Sequence, residues 1–213
     1  TAFAICGSPS GAGDARNHRR ITVVRCGKRD NRPQLSKGRI LSSEAIQAIQ
    51  SLKRAHKLDG SNLPVHDLSR LLKSDLTAAI KELLRQDQCS LARVAFSTLR
   101  SEYGADLNMY AELVLCFARN GLVREIDSLI AEMENDDVSI GETKGLLRLV
   151  TAVIGARRME PTVRIYRMMK RSGSELDEYL GRVMSKGLRN FGEVDLANEV
   201  DEELKRLYRG IFV

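Results

Sequence analysis

The feature that most constrains this chain is a period. Residues 108–133 read "NMYAELVLCFARNGLVREIDSLIAEM", two amphipathic helices with a turn at Asn120-Gly121. In the second helix Ile126 stands seven places before Met133, and the same spacing recurs at Ala92 and Leu99, Thr162 and Met169, and Ala197 and Leu204. Successive offsets are 34, 36 and 35 residues. The turn recurs as well. "ARNGLVRE" (118–125) is echoed by "LRNFGEVD" (188–195), with Gly121 and Gly192 in the turn and Val123 and Val194 just after it, while "IGARRMEP" and "LRQDQCSL" hold the equivalent places less faithfully. First helices correspond too: Leu113, Val114 and Phe117 match Leu149, Val150 and Val153.

A helix pair repeated about every 35 residues predicts an all-α fold, an α-solenoid of helix-turn-helix units. One such pair has an apolar stripe that it cannot bury alone. Stacking the next pair covers the stripe, so the core runs along the array, with Phe96 and Phe117 inside it. The small residues Ala92, Thr162 and Ala197 let neighbouring helices approach. Four clear repeats fall at about 74–107, 108–143, 144–178 and 179–213, and residues 40–73 form a degenerate fifth, N-terminal unit. In that unit Ser42-Ser43-Glu44 opens a helix whose face is marked by Ile46, Ile49 and Leu52, out to about His56. "DGSN" breaks it, and Pro64 opens a short second helix carrying Leu68, Leu71 and Leu72.

Composition agrees with helices. Trp is absent, Pro numbers 4 in 213 residues, and no apolar run approaches the roughly 18 residues of a membrane span. Cys6, Cys26, Cys89 and Cys116 are far apart and form no CxxC pair, so they read as free thiols in a reducing compartment rather than as a zinc site or a disulfide framework. No Gly-rich phosphate loop, metal cluster or nucleophile motif is present in the sequence. The expectation is a chain without cofactor or enzymatic activity.

The net charge of +6 is unevenly spread: residues 1–58 hold 12 Lys+Arg against 3 Asp+Glu, and residues 59–213 hold 22 against 25. The front of the chain is rich in Arg and small residues and has few acids, as organellar transit peptides are. "ITVVRC" before Gly27 is similar to a chloroplast processing site. The expected organisation is a chloroplast transit peptide over 1–26, a basic linker over 27–39 and the solenoid over 40–213. Delivery is to the stroma, with the mitochondrion as the alternative. The other use of such a front end is a basic arm that stays attached and touches nucleic acid.

Periods of 34 to 36 fit two repeat families. Tetratricopeptide repeats want an early Trp-Leu-Gly signature and a Pro near the repeat end. This chain has no Trp, and its Gly sits in the turn. "MYAELVLCFARNGLVREIDSLIAEM" instead resembles the pentatricopeptide pattern almost position by position, at Tyr110, Leu113, Arg119, Gly121, Val123 and Met133. The resemblance covers 74 to about 208 and is weakest in the first repeat. "GRILSSEAIQAIQSLKRA" (38–55), following "VRCGKRDNR", resembles the short plant pentatricopeptide proteins of the thylakoid-assembly type. That likeness implies a chloroplast protein that binds single-stranded intron RNA and assists group II intron splicing alongside other splicing proteins.

The family resemblance also implies where RNA would lie. The first helix of each repeat lines a concave surface, and bases are read by a small polar residue early in that helix and an Asn or Asp at the repeat's end. Here the first place holds Ala78, Glu112, Arg148 and Val183, and the second holds Leu107, Thr143 and Glu178. None fits, so the base code reads as eroded while a basic groove can survive. Residues 144–171 carry eight basic residues against Glu160 alone. In the fourth repeat Arg182, Lys186 and Arg189 lie on the first helix, and Glu193, Asp195, Glu199, Asp201, Glu202 and Glu203 on the second. Arg85 and Arg119 are one period apart, with Arg189 two periods further. The candidate RNA-contacting set is therefore Arg85, Arg119, Lys144, Arg148, Arg182, Lys186 and Arg189. Tyr110 and Tyr179 can stack on bases, although a Tyr at that family position more often packs in the core.

The rival reading is a helical-repeat scaffold that binds a protein and no RNA. It draws on residues 108–143, which hold eight acids and two bases; such a repeat beside a basic one can drive head-to-tail association. If RNA is the ligand, about five repeats engage about five nucleotides at roughly 1–3 kcal/mol per base, which predicts about micromolar binding. A homodimer formed on RNA, or a larger protein partner, raises the effective affinity.

Overall fold

The computed structural model describes residues 41–58, 63–136, 138, 140, 143–174 and 176–208. The expected transit segment and basic linker, with Cys6 and Cys26, and the break at 59–62 lie outside the described residues. Among the described residues ten helices follow in order: α1 (Ser43–Leu58), α2 (Val65–Ser69), α3 (Lys73–Arg85), α4 (Cys89–Tyr103), α5 (Leu107–Arg119), α6 (Val123–Asn135), α7 (Thr143–Gly155), α8 (Met159–Ser172), α9 (Glu178–Phe191) and α10 (Val194–Tyr208). From α3 onward they form four hairpins, each first helix packed on its own second helix. The first helices α1, α3, α5, α7 and α9 lie side by side in chain order as one layer, and α2 against α4 and α6 against α8 belong to the other. This is the translational stacking that the period predicts.

Helix α5 shows why the sequence folds this way. Met109, Tyr110, Ala111, Leu113, Val114, Cys116 and Phe117 are all buried, leaving Asn108, Glu112, Leu115 and Arg119 as a single stripe toward solvent. Only a helix covered on both flanks and beneath has so narrow a wet face. Asp106 caps it by accepting a 2.7 Å hydrogen bond from the Met109 N–H. The paired positions seven apart in the second helices behave as expected: Ala92, Leu99, Ile126, Met133, Thr162, Met169 and Ala197 are buried. Leu204, on the last described helix, is partly buried. Phe96 of α4 meets Tyr110 of α5 edge-on, with ring centroids 4.9 Å apart. Burial pushes the Tyr110 hydroxyl pKa up to about 12.

All four hairpin turns share one backbone geometry. Asp87, Gly121, Arg157 and Gly192 take positive φ values of 52°, 70°, 55° and 88°. In each turn the next residue donates its N–H back to the carbonyl five residues earlier: Gln88 to Leu83, Leu122 to Phe117, Arg158 to Val153, and Glu193 to Leu188. The left-handed residue donates to the carbonyl three back, as in Asp87 to Leu84 and Arg157 to Ile154. This closure satisfies the last carbonyls of each first helix. Two turns fill the left-handed place with Gly. The other two hold side chains that disfavour it by about 1–2 kcal/mol, less for Asp. Arg157→Gly is accordingly expected to stabilise the chain by about 1 kcal/mol, the relief of strain exceeding the added freedom of the unfolded chain. Gly121→Ala is expected to destabilise by a similar amount. Urea denaturation followed by circular dichroism measures both, and a destabilising Arg157→Gly would contradict the shared-turn account.

Two expectations need correction. Helix α2 is shorter than expected and ends at Ser69. Leu71 is buried just beyond it, whereas Leu72 is extended, 68% exposed and stands ahead of α3. The Leu71 N–H donates to the Leu68 carbonyl at 3.0 Å, and its own carbonyl accepts from the Tyr103 hydroxyl of α4 at 2.8 Å, which holds this backbone in a turn rather than a longer helix. The cysteines are also misread as free thiols: Cys89 and Cys116 are joined in a disulfide, with Cα atoms 6.4 Å apart. Spacing along the chain conceals this pair, because hairpin stacking brings the start of α4 against the last turn of α5.

Candidate nucleic-acid interface

The wet stripe of α5 has a counterpart on each first helix of the four hairpins. Offsets of 34 to 36 residues align Ser74, Ala78, Lys81 and Arg85 of α3 with Asn108, Glu112, Leu115 and Arg119 of α5, and with Lys144, Arg148, Thr151 and Gly155 of α7. On α9 the same offset gives Tyr179, Val183, Lys186 and Asn190. These positions are all exposed or half-buried. Arg85, Arg119, Lys144, Arg148 and Lys186 therefore stand on this stripe, whereas Arg182 and Arg189, ten and three residues before Gly192, match Ala111 and Ala118 and lie about one residue round the helix from it.

They differ in how free they are. Lys144 and Lys186 are exposed and have no ion pair among the described residues. Arg148 is 52% exposed, donates to the Asn108 side-chain oxygen at 3.0 Å and lies 3.9 Å from Glu112. Arg119 is 64% exposed and 3.4 Å from Asp87. Arg85 is held by Glu82 one turn back, whose hydrogen bond raises the already high guanidinium pKa. Arg182 pairs with Glu178. Arg189 reaches across its own hairpin to Asp201 and Asn198 of α10. The readiest cations are thus Lys144, Arg148 and Lys186, with Arg119 beside them.

A depression of about 530 Å³ lies in this face. Its walls are Leu115 and Arg119 of α5, Arg148 and Thr151 of α7 and Tyr179 of α9, with Gly155 and Ala156 contributing little bulk. Tyr179 is 62% exposed and Leu115 44% exposed. Tyr179 is thus not a core residue, and the signal was present in the sequence. Tyr110 stands 11 residues before its turn glycine, Gly121, whereas Tyr179 stands 13 before Gly192. The two tyrosines are not equivalent: the counterpart of Tyr110 is Gly181, where a Cβ would collide with Leu204 and Leu176. Lys81 is a further exposed cation of the stripe that sequence reasoning passed over. An apolar floor, an exposed ring and flanking cations make a surface on which an unpaired base can stack while its phosphates are neutralised.

Much of the remaining charge is paired elsewhere. Arg93 and Arg100 of α4 bind Glu132 of α6, and Arg100 also reaches Asp136 at 3.0 Å. From the other side Arg158 holds Asp127, and Arg164 and Arg171 of α8 hold Glu134 at 3.3 and 2.5 Å. Lys170 continues the series to Glu199 and Glu203 of α10 at 3.4 and 3.0 Å. The acidic second hairpin and the basic third are thus partners within one chain. The charge contrast expected to drive head-to-tail association is used to register the second-helix layer.

Among the described residues no group of three His, Cys, Asp or Glu side chains is placed to hold a metal ion, and no helix is long and apolar enough to cross a membrane. No profile of a known family matches the chain. Individual proteins do. Protein THYLAKOID ASSEMBLY 8, chloroplastic, of Arabidopsis thaliana is 50% identical over 189 residues, covering 85% of each chain. A pentatricopeptide repeat-containing protein of the same plant is 29% identical over 183 residues, 81% of this chain and 89% of that one. Among solved structures, the crystal structure of THA8 in complex with Zm4 RNA is similar at a TM-score of 0.68 and 31% identity, over 81% of this chain and 98% of its own.

Proposed function

Because the chain belongs to the pentatricopeptide repeat proteins of the thylakoid-assembly type, we propose that it is a chloroplast protein that binds single-stranded RNA and assists intron splicing without itself being an enzyme. The observation that carries this reading is the alignment of Lys144, Arg148 and Lys186 on one face beside an exposed tyrosine. A nucleobase stacks on that ring while the flanking cations meet its phosphates. Since the positions that carry the family's base code hold Ala78, Glu112, Arg148 and Val183, binding is driven by backbone charge and stacking, with weak sequence preference.

The finer elements of the reading follow from its size. A face of four or five repeats gives about micromolar affinity, too weak for a stand-alone specificity factor at roughly one base per repeat. The protein therefore works in the stroma within a group II intron ribonucleoprotein, its affinity raised by other splicing proteins or by a second copy on the same RNA. A front end shaped as a transit peptide is consistent with that destination.

The test is a gel shift on short single-stranded RNA across a salt series. With three to five phosphates neutralised, the slope of log affinity against log salt is expected at about −2 to −3.5. A duplex of the same sequence, whose bases are already stacked, should bind less well. No shift at low salt would remove the reading and restore the protein scaffold.

A further inference from the structure

The disulfide joins the first two hairpins at their turn end, three residues from Arg119 of the candidate face. Cys89 is the first residue of α4, two places after Asp87 in the first hairpin's turn; Cys116 lies in the last turn of α5, just before Arg119. The Asn120 side chain donates to the Cys116 carbonyl at 2.9 Å and to Asp87 at 3.4 Å, and lies 3.8 Å from the Cys116 sulfur. Arg119 reaches the same Asp87 oxygen at 3.4 Å. The bridge, Asp87, Asn120 and Arg119 thus form one patch that ties the first hairpin's turn to the end of the second hairpin's first helix. Arg119 then lines the depression beside Arg148 and Tyr179.

We propose that Cys89–Cys116 is a reversible dithiol–disulfide switch that sets RNA affinity by locking the first hairpin onto the second. The proposal rests on the RNA-binding reading of this face. In the oxidised state the spacing between Arg85 and Arg119, one period apart, is fixed before RNA arrives. In the reduced state Phe96 and Tyr110 still join the hairpins, but the turn is held only by the 3.4 Å contacts of Asp87 with Asn120 and Arg119, and its further ordering is charged against binding.

The chemistry is thiol–disulfide exchange with a protein or small-molecule dithiol as reductant. A thiolate of the reductant attacks the Cys89 sulfur, the less buried of the two, and the S–S bond breaks. Cys116 leaves as a thiolate and takes a proton. The reductant's second thiol then displaces Cys89, which is protonated in turn, and the reductant departs as its own disulfide. Two electrons and two protons pass to the protein. A disulfide oxidant runs the sequence backwards.

The experiment uses the full chain equilibrated with oxidised glutathione or with dithiothreitol. Maleimide labelling with peptide mapping reports on Cys89 and Cys116, and fluorescence anisotropy reports binding of a short single-stranded RNA. With labelling done after unfolding without reductant, so that burial does not shield the thiols, the expected result is that both cysteines are protected only after oxidation, and that the oxidised protein binds about five-fold more tightly, as one avoided ordering cost implies. Cys89→Ser and Cys116→Ser should each bind like the reduced protein under both conditions, which separates this pair from Cys6 and Cys26. Labelling of both cysteines after oxidation overturns the proposal. So does a bridge that forms and breaks without changing affinity. Absence of RNA binding in both states, with the bridge mapped as expected, instead sinks the RNA reading and takes the regulatory role with it.

Discussion

Replacing Lys144, Arg148 and Lys186 together by glutamate is expected to lower affinity for single-stranded RNA at least about 100-fold at 0.1 M salt. Each cation that neutralises a phosphate contributes roughly 0.7 to the salt slope, so three of them contribute about 2, which at this salt is two decades of affinity. Charge reversal adds repulsion to that loss. The slope itself should fall by about 2, a readout that unfolding would not imitate. The substitutions touch no buried group and no ion pair except the loose contact of Arg148 with Glu112, so helical content and thermal midpoint should stay as they are. A triple variant that binds with unchanged slope would move the RNA off this face. The same reversal made at Arg93, Arg158 and Lys170 should instead damage stability, because those residues hold α4, α6, α8 and α10 in register.

Phe96→Ala is expected to cost about 3–5 kcal/mol. The ring is fully buried and stands at the junction between α4 of one hairpin and α5 of the next, edge-on to Tyr110. Truncation removes the aromatic pair and leaves a cavity between units that otherwise touch only their neighbours. The effect should be local in position though large in size. Limited proteolysis is expected to cut first near residues 104–106, and urea denaturation followed by circular dichroism should show the first hairpin melting ahead of the rest. A loss below about 1 kcal/mol would mean that the junction is held by other contacts.

Much of this molecule was legible before its coordinates. The seven-residue spacing of the second helices and the repeated apolar triplets of the first report burial directly, since both are dictated by which side of a helix faces another. That the candidate cations are exposed was legible for the same reason: positions left over after the buried ones are assigned must face water. What escaped was tertiary in origin. Leu72 continues a run of leucines that no neighbour covers, and nothing local says so. Cys89 and Cys116 are 27 residues apart and meet only because one hairpin stacks on the next. Asp87 and Arg157 fill turns whose glycines elsewhere advertise the left-handed residue, so the shared geometry was hidden at two sites out of four. Tyr179 was misjudged by comparing tyrosines rather than counting from the turn. Pairing of charges between hairpins is likewise invisible to net-charge arithmetic, which saw attraction between segments and could not say that they belong side by side.

The ion pairs of the second-helix layer carry a consequence for how such a chain can change. Individually, partly exposed pairs of this kind are worth about 0–1 kcal/mol, so they add little to the strength of the stack. Their signs, however, alternate along it: α6 offers carboxylates to arginines on either side. A tandem duplicate of the second hairpin would therefore set acid against acid along its new seam. Growth of this lineage by copying units, or its rebuilding by an engineer who treats them as interchangeable bricks, first requires rewriting the outward charges of each brick to suit its two neighbours.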